Sequence, residues 1–199
     1  MRTLLKKIRN TLAPPAGLPA AARMERLSDR RGLPAIDPGP HAVVKACTAW
    51  LCAAQDHSSS HDGGVARDYS LLTGWASSYP ETTGYIIPTM IALARRAGDE
   101  GGDAALHERA RRMLDWCVAI QFPAGGFQGG KIDSTPRVPV TFNTGQILLG
   151  LAAGVTAYGD RYRDALHRAA RWLRDSQDAD GCWRRYPTPF ARAGEKAYE

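Results

Sequence analysis

The chain has 199 residues, of which 44% are hydrophobic and 23% are charged, and this composition is typical of a soluble globular protein with one domain or one large part of a domain. Its formal net charge is +6, but no stripe interleaves the basic residues with aromatic ones, so nucleic acid is not expected as a partner. No stretch is long and apolar enough to span a bilayer. The four cysteines form no C-x-x-C pair and the histidines lack metal-ligand spacing, so we expect reduced thiols, a cytoplasmic protein, no metal and no cofactor.

Residues 1–40 are predicted to be an irregular lead-in. Residues 1–12 are cationic and mildly amphipathic, without the uninterrupted apolar core of a signal peptide, and a contact with a membrane surface is one interpretation of them. Residues 13–40 are rich in Pro, Gly, Ala and Arg, which is typical of irregular structure. Residues 41–199 are predicted to be helical.

Three segments of the chain share one pattern, in which Trp is followed five residues later by Gln, then by a turn containing glycine, and then by an apolar or aromatic residue. The apolar periodicity before each Trp predicts an amphipathic outer helix with one wet face. We expect the tryptophans to pack in the core and the glutamines to bond loop backbone. The tryptophans are Trp50, Trp116 and Trp172, and the glutamines are Gln55, Gln121 and Gln177. The first apolar face comprises Val43, Cys47, Trp50, Leu51 and Ala54.

A second kind of helix alternates with the outer helices. The stretches 83–97 and 144–158 are apolar nearly all round, which predicts burial on every side. Pro88 is predicted to lie close to a helix start, and Gly98 and Gly159 to act as C-terminal caps. The alternation predicts an all-α fold, a partial α/α toroid of about two and a half helical hairpins, with an α-solenoid or irregular bundle as the alternative. Because a closed ring needs about six hairpins, the chain is interpreted as a fragment or as a chain that a partner completes.

The Trp-x4-Gln and Gly-aromatic pattern resembles the repeats of the terpenoid cyclase and protein prenyltransferase superfamily, and those of the six-hairpin glycosidase-like superfamily. The segments 78–89 and 141–146 resemble bacterial toroid proteins linked to polysaccharide biosynthesis, and the second also resembles the toroidal domain of glucuronyl C5-epimerases. This resemblance implies a polysaccharide or oligosaccharide partner and, in the complete form, a hydrolase, lyase or epimerase. A non-catalytic scaffold in polysaccharide assembly is one alternative. A terpenoid-cyclase-like protein acting on isoprenoids is another, although the acid motif Asp-x-Asp-Asp of class II cyclases is incomplete at residues 178–181.

Long loops of a toroid gather at one mouth of the ring, where the inner helices begin, so functional residues are sought in residues 56–82, 122–142 and 178–199. Glu81 and Asp133 are the candidate catalytic acids or bases. The structural alternative for Glu81 is a carboxylate that stabilises a helix start, and for Asp133 it is an aspartate that forms a turn. Tyr79, Lys131 and Tyr186 are alternative bases for chemistry at a sugar carbon next to a carboxylate. Asn143 is equally well interpreted as a helix N-cap. Side chains with aromatic faces or polar groups that suit sugars are predicted to bind the substrate. They are Tyr69, Trp75, Tyr79, Phe127, Gln128, Asn143, Gln146 and Trp183.

Overall fold

The computed structural model describes residues 17–32, 35–96 and 103–190, and most of them are helical. The helices in chain order are α1 (Ala20–Arg30), α2 (Gly39–Asp56), α3 (Pro80–Arg96), α4 (Ala104–Ile120), α5 (Thr141–Tyr158) and α6 (Arg163–Ser176). A small antiparallel hairpin of β1 (Tyr69–Ser70) and β2 (Gly74–Trp75) lies between α2 and α3, and a 3-10 turn, Asp160–Tyr162, leads into α6. None of the described helices combines the length and the apolar character that crossing a membrane requires.

The lead-in differs from its prediction, because α1 lies within it. Its first 16 residues, including the basic segment 1–12, fall outside the described part of the chain. Gly159 ends α5 with a φ of 79°, which confirms the predicted cap, whereas Gly98 is not among the described residues.

The core forms where the inner helices α3 and α5 pack on each other and against α4. Ile87, Met90, Ile147 and Leu151 of the inner helices are fully buried. The outer helices α4 and α6 each turn one apolar face inward, as their periodicity predicts, and leave their charged residues in solvent. The alternation of outer and inner helices is confirmed, and the chain is a partial α/α toroid.

Two glycines let the inner helices approach each other closely. A Cβ added at Gly84 would lie 2.5 Å from the Cα of Ile147, and one added at Gly150 would lie 2.3 Å from the carbonyl oxygen of Gly84. Pro88 lies in the middle of α3 rather than near its start, which corrects the prediction. Because proline has no backbone N–H, it cannot donate a helical hydrogen bond to the carbonyl oxygen of Gly84, four residues earlier. The carbonyl group that the proline leaves without a helical donor therefore lies against Gly150.

Each inner helix leaves one side exposed, which contradicts the prediction of burial all round. Tyr85 of α3 is 42% exposed, and Thr89 and Ala92 continue the same side of that helix. Phe142 and Leu149 of α5 are 49% and 52% exposed. The physical reason is that the neighbouring helices and loops cover the other sides of each inner helix, while no described element covers this one.

The first outer helix also departs from its prediction. Val43, Cys47 and Trp50 are exposed, and the apolar face of α2 reaches the core only near its C-terminal end, through Leu51 and Ala54. The outer helices α4 and α6 each have a preceding hairpin to cover the corresponding face. Among the described residues no inner helix precedes α2, so its face remains open.

The three repeated glutamines close their own turns, as predicted. Their side-chain Nε2 groups donate to turn carbonyl oxygens at 2.8–3.0 Å, from Gln55 to Gly63, from Gln121 to Gly125 and from Gln177 to Gly181. Each acceptor glycine has a positive φ, between 88° and 106°, which a side chain would strain. The repeat seen in the sequence is therefore a repeated turn geometry.

A buried threonine at the fourth position of each inner helix joins that helix to the preceding loop. The Thr144 hydroxyl accepts the N–H of Phe127 at 2.9 Å and donates to the carbonyl of Val140 at 2.8 Å. Thr83 makes the same two hydrogen bonds, with Val65 and Tyr79. The hydroxyl groups fix where each long loop meets the start of its inner helix.

Replacing Thr144 with valine is expected to lower the free energy of unfolding by about 1–3 kcal/mol, because the buried N–H of Phe127 loses its acceptor. Thr156→Val on the exposed side of the same helix is the matched control, with an expected change within about 0.5 kcal/mol. Urea denaturation measures both variants. Equal losses of stability would contradict this role for the Thr144 hydroxyl.

Candidate functional site

The starts of the two inner helices bring three polar side chains together. Glu81 lies in the first turn of α3, Tyr79 just precedes that helix, and Asn143 lies in the first turn of α5. The Asn143 amide donates to Glu81 Oε2 at 3.4 Å, and the Tyr79 phenol lies close enough to the same carboxyl to influence its pKa. We call these three residues the Glu81 cluster. Asn143 is not the N-cap, a position that Val140 occupies, and its buried amide is directed at the carboxylate.

The surroundings of Glu81 change its acidity. Burial raises the pKa of the Glu81 carboxyl, and the polar Tyr79 phenol beside it partly opposes that rise because it stabilises the carboxylate. Burial also raises the pKa of the Tyr79 phenol, and the nearby negative charge of Glu81 adds to the rise. The cluster therefore holds a carboxyl that gives up its proton at a higher pH than an ordinary glutamate, beside a phenol that keeps its proton, and such a pair suits acid–base catalysis.

The pH dependence of stability is expected to reveal the raised pKa of Glu81. A carboxyl with a higher pKa in the folded than in the unfolded chain stabilises the fold below its unfolded pKa, at about pH 4, and loses that contribution as pH rises through its folded pKa. Glu81→Gln should therefore gain stability relative to the wild type as pH rises from about 4 to 7. Thermal unfolding across this range measures the difference, and a difference independent of pH would contradict the assignment.

Asp133 lies outside the Glu81 cluster, in the loop between α4 and α5. Its carboxylate accepts a hydrogen bond from the Ser77 hydroxyl at 2.7 Å and lies 3.6 Å from the Lys131 ammonium. The Ser77 hydrogen bond and the Lys131 charge hold the pKa of Asp133 below its usual range. Because the side chain is 59% exposed and ionised, its observed contacts join two loops and do not suit it to donate a proton.

Phe127 and Gln128 do not face the mouth, which corrects their prediction as substrate-binding residues. Phe127 is fully buried in the core and Gln128 is 1% exposed. The Gln128 amide donates to the carbonyl groups of Lys131 and Ile132 at 2.7 and 3.2 Å, and its oxygen accepts from Arg137 at 3.1 Å. Both side chains shape the loop, and their burial removes them from contact with a ligand.

Tyr69 and Trp75 belong to an aromatic cluster with Trp50 at the small β-hairpin. The Trp75 ring centroid lies 4.7 Å from that of Trp50 and 5.0 Å from that of Tyr69. Trp50 is 54% exposed, so the prediction that it packs in the core is wrong. Trp183 lies elsewhere, at the end of α6, where its indole N–H donates to the carbonyl of Leu173 at 2.9 Å.

Sequence reasoning missed two exposed aromatic residues next to the Glu81 cluster. Tyr85 lies one turn after Glu81 on the same face of α3, and Phe142 immediately precedes Asn143. Gln146, a predicted binding residue, lies one turn after Asn143 and is partly exposed. The signal for Tyr85 was available, since an aromatic residue four positions after an acid shares its helix face.

Two other features of the described residues bear on ligands. No three of their His, Cys, Asp and Glu side chains gather as a metal site would require. A groove of about 370 Å³ lies between α2, α3 and α4, lined by residues that include Val44, Leu93 and Leu106, and no member of the Glu81 cluster lines it. The groove and the cluster are therefore separate features.

The layered helices define the class of this protein as a partial α/α toroid, a fold that it shares with three larger proteins of known structure. Glycosyl hydrolase family 88 from Bacteroides vulgatus has a TM-score of 0.55 and 18% identity, over 75% of this chain and 45% of that one. A possible member of the GH105 family from Klebsiella pneumoniae has a TM-score of 0.60 and 16% identity, over 85% and 44%. Another from Salmonella enterica has a TM-score of 0.57 and 13% identity, also over 85% and 44%. These likenesses establish the fold.

Among curated proteins, this chain is similar to ent-copalyl diphosphate synthase from Streptomyces sp. (strain KO-3988). The two are 34% identical over 97 residues, which is 49% of this chain and 17% of that protein. No family model matches the chain. The chain spans less than half the length of each of these relatives.

Proposed function

We propose that this toroid acts on a polysaccharide or oligosaccharide by acid–base chemistry, with Glu81 as the group that exchanges a proton with the substrate. The observation that carries this proposal is the half-buried Glu81 carboxyl, which accepts a hydrogen bond from Asn143 and lies beside the Tyr79 phenol at the starts of two inner helices. The partial positive charge at helix starts favours an anionic substrate group beside them. A uronate sugar fits this arrangement.

Proton transfer fits the cluster better than hydrolysis by two carboxylates. A glycosidase needs a carboxyl group on each side of the scissile bond. Asp133 is bound to Ser77 and Lys131 instead of facing Glu81. A lyase or an epimerase needs a base at the sugar carbon next to the carboxylate. In this proposal Glu81 takes that proton and the Tyr79 phenol supplies one to the product.

Exposed aromatic residues beside the cluster support a sugar as the substrate. Tyr85 and Phe142 are 42% and 49% exposed, and each is joined to the cluster by its own helix. Aromatic faces stack on the apolar faces of sugar rings. Partly exposed Gln146 is a further hydrogen-bonding group for sugar hydroxyls. The solved neighbours described as glycosyl hydrolases support a carbohydrate in the same general sense.

Incubation of the chain with polygalacturonate and with alginate in D₂O tests this proposal. Base chemistry at the carbon next to the carboxylate is expected to introduce deuterium there, detected by NMR, or to create a carbon–carbon double bond, detected by ultraviolet absorbance. New reducing ends without deuterium or a double bond would contradict acid–base chemistry in favour of hydrolysis. No reaction with either polymer would favour a scaffold role.

An isoprenoid substrate is the second candidate. The observation that favours it is the 34% sequence identity with ent-copalyl diphosphate synthase over 97 residues. Class II cyclases need a protonated aspartate, whereas Asp178 and Asp180 here pair with Arg184 at 3.2 and 2.7 Å on an exposed turn. The pKa of Asp180 is lowered to about 2, chiefly by the Arg184 hydrogen bond, so this carboxyl is not a proton donor at neutral pH. Conversion of an isoprenoid diphosphate by the chain would overturn the carbohydrate proposal.

A further inference from the structure

The first long loop folds back on itself in a short antiparallel bridge just before α3. Ala66 and Ser78 are the paired residues, and on either side of them the N–H groups of Tyr79 and Arg67 donate across the bridge at 2.9 and 3.2 Å. Because successive side chains of an extended strand point to opposite faces, Arg67 and Tyr79 lie on one face of the bridge and the paired residues on the other. The bridge therefore places Arg67 beside the Glu81 cluster, of which Tyr79 is a member.

The second long loop contains the same bridge and shows how closely the two positions approach. Its two hydrogen bonds are again 2.9 and 3.2 Å long, with Val140 in the place of Tyr79 and Gly129 in the place of Arg67. A Cβ added at Gly129 would lie 2.5 Å from the Cγ2 atom of Val140. By this correspondence the Arg67 side chain leaves the backbone in the direction of Tyr79. The glycine also shows that the bridge does not require an arginine at this position.

Arg67 brings a positive charge with unused hydrogen-bond donors to the edge of the cluster. Burial and the charge of Glu81 raise the pKa of the Tyr79 phenol, and the Arg67 guanidinium partly opposes that rise. The side chain of Arg67 is 49% exposed, and its Nε atom pairs with Asp68 at 2.5 Å. Its two terminal nitrogens donate no hydrogen bond to the described part of the chain, so they are open to a ligand.

We propose that Arg67 binds the carboxylate of a uronate sugar through its two terminal guanidinium nitrogens, beside the carbon that Glu81 deprotonates. The inference rests on the proposed function, and it names the residue that selects an acidic sugar. The two terminal nitrogens of a guanidinium present parallel N–H groups that match the two oxygens of a carboxylate. A neutral sugar offers no such partner.

Lys131 is the other cation near this face of the bridge, and its surroundings suit the role less well. Its ammonium lies 3.6 Å from Asp133, whose carboxylate also accepts a hydrogen bond from the Ser77 hydroxyl at 2.7 Å. Lys131 therefore belongs to the contact between the two loops, whereas Asp68 occupies only the Nε atom of Arg67.

Binding of acidic and neutral trisaccharides tests this assignment. The full chain carrying Glu81→Gln is expected to bind substrate without turnover, so calorimetric titration with trigalacturonate and with its methyl ester measures two dissociation constants. The ester keeps the rings and the hydroxyl groups but carries no charge. We expect the acid to bind about 10–100-fold more tightly than the ester, as hydrogen bonds to a charged group would give. Adding Arg67→Gln is expected to remove this preference by weakening the binding of the acid alone.

Arg174→Gln in the same Glu81→Gln chain is the matched control. Like Arg67, Arg174 is exposed and pairs with the aspartate that follows it, but it lies on the outer helix α6. This variant should keep the full preference for the acid. Circular dichroism verifies that each variant is folded.

The possible results separate the role of Arg67 from the proposed function. The assignment is wrong if acid and ester bind equally well before Arg67 is replaced, if the preference survives Arg67→Gln, or if Lys131→Gln alone abolishes it. The carbohydrate proposal stands after each of these results. If the folded Glu81→Gln chain binds neither trisaccharide, the proposed function itself is overturned, and the role of Arg67 with it.

Discussion

Gly150→Ala is expected to lower the free energy of unfolding by about 3 kcal/mol or more, which is a large part of the stability of a single domain. The added Cβ would lie 2.3 Å from the carbonyl oxygen of Gly84, so one of the two inner helices has to move. The neighbouring core side chains Ile87, Ile147 and Leu151 are fully buried and leave little room for that movement. In a chain of this size the melting temperature should fall by roughly 6 °C or more.

Gly145→Ala in the same helix is the matched control for that prediction. No atom lies within 4 Å of a Cβ added at Gly145, so this variant should keep its stability or gain up to about 1 kcal/mol from the better helix propensity of alanine. Thermal and urea denaturation of both variants measure the contrast. If Gly150→Ala melts at the same temperature as Gly145→Ala, the inner helices do not approach as closely as described.

The second large effect is expected at Glu81, where Glu81→Gln should lower turnover of a uronate polysaccharide by about 10²–10⁴-fold. Glutamine nearly preserves the shape of the side chain and can still accept the hydrogen bond from Asn143, but it cannot take a proton. The loss should therefore appear in kcat, with a smaller change in KM. Initial rates over a range of substrate concentrations separate the two constants.

Asp133→Asn is the control for Glu81→Gln. Asp133 is exposed and bound to Ser77 and Lys131, so its substitution should change turnover by less than about tenfold. Equal losses of turnover in both variants would show that Asp133 takes part in catalysis and would favour a reaction that needs two carboxylates. An unchanged rate in Glu81→Gln would remove Glu81 from the mechanism.

The helical layers could be predicted because apolar periodicity marks the face that a helix buries where a neighbouring element covers it. The faces of α4 and α6 repeat at the helical period, and the apolar stretches at 83–97 and 144–158 stand out against them. Pro88 was misplaced because α3 begins at Pro80, through polar residues that carry no periodic signal. The start of a helix depends on its capping contacts, which the apolar pattern does not record.

The candidate site was predictable only in part because it depends on contacts between distant residues. Glu81 meets Asn143 across 62 positions of sequence, and Asp133 meets Ser77 across 56. Nothing local distinguishes a glycine-rich loop whose Phe127 faces outward from one whose Phe127 is buried. Only the packing of α5 and of the adjacent turn decides the direction in which that side chain points.

The binding of each turn by the next outer helix determines where such a chain can be divided and recombined. A Cβ at Gly64 would lie 2.7 Å from the Cβ of Ser78 in its own hairpin and 2.8 Å from the Trp116 ring on the following helix, so Gly64 and Trp116 constrain each other across the hairpin boundary. The natural unit of duplication or exchange therefore runs from one glycine turn through the next tryptophan. Swapping whole hairpins would separate the matched pair, and a chimaera whose new turn lacks the second glycine would place a side chain against the indole ring of the next outer helix.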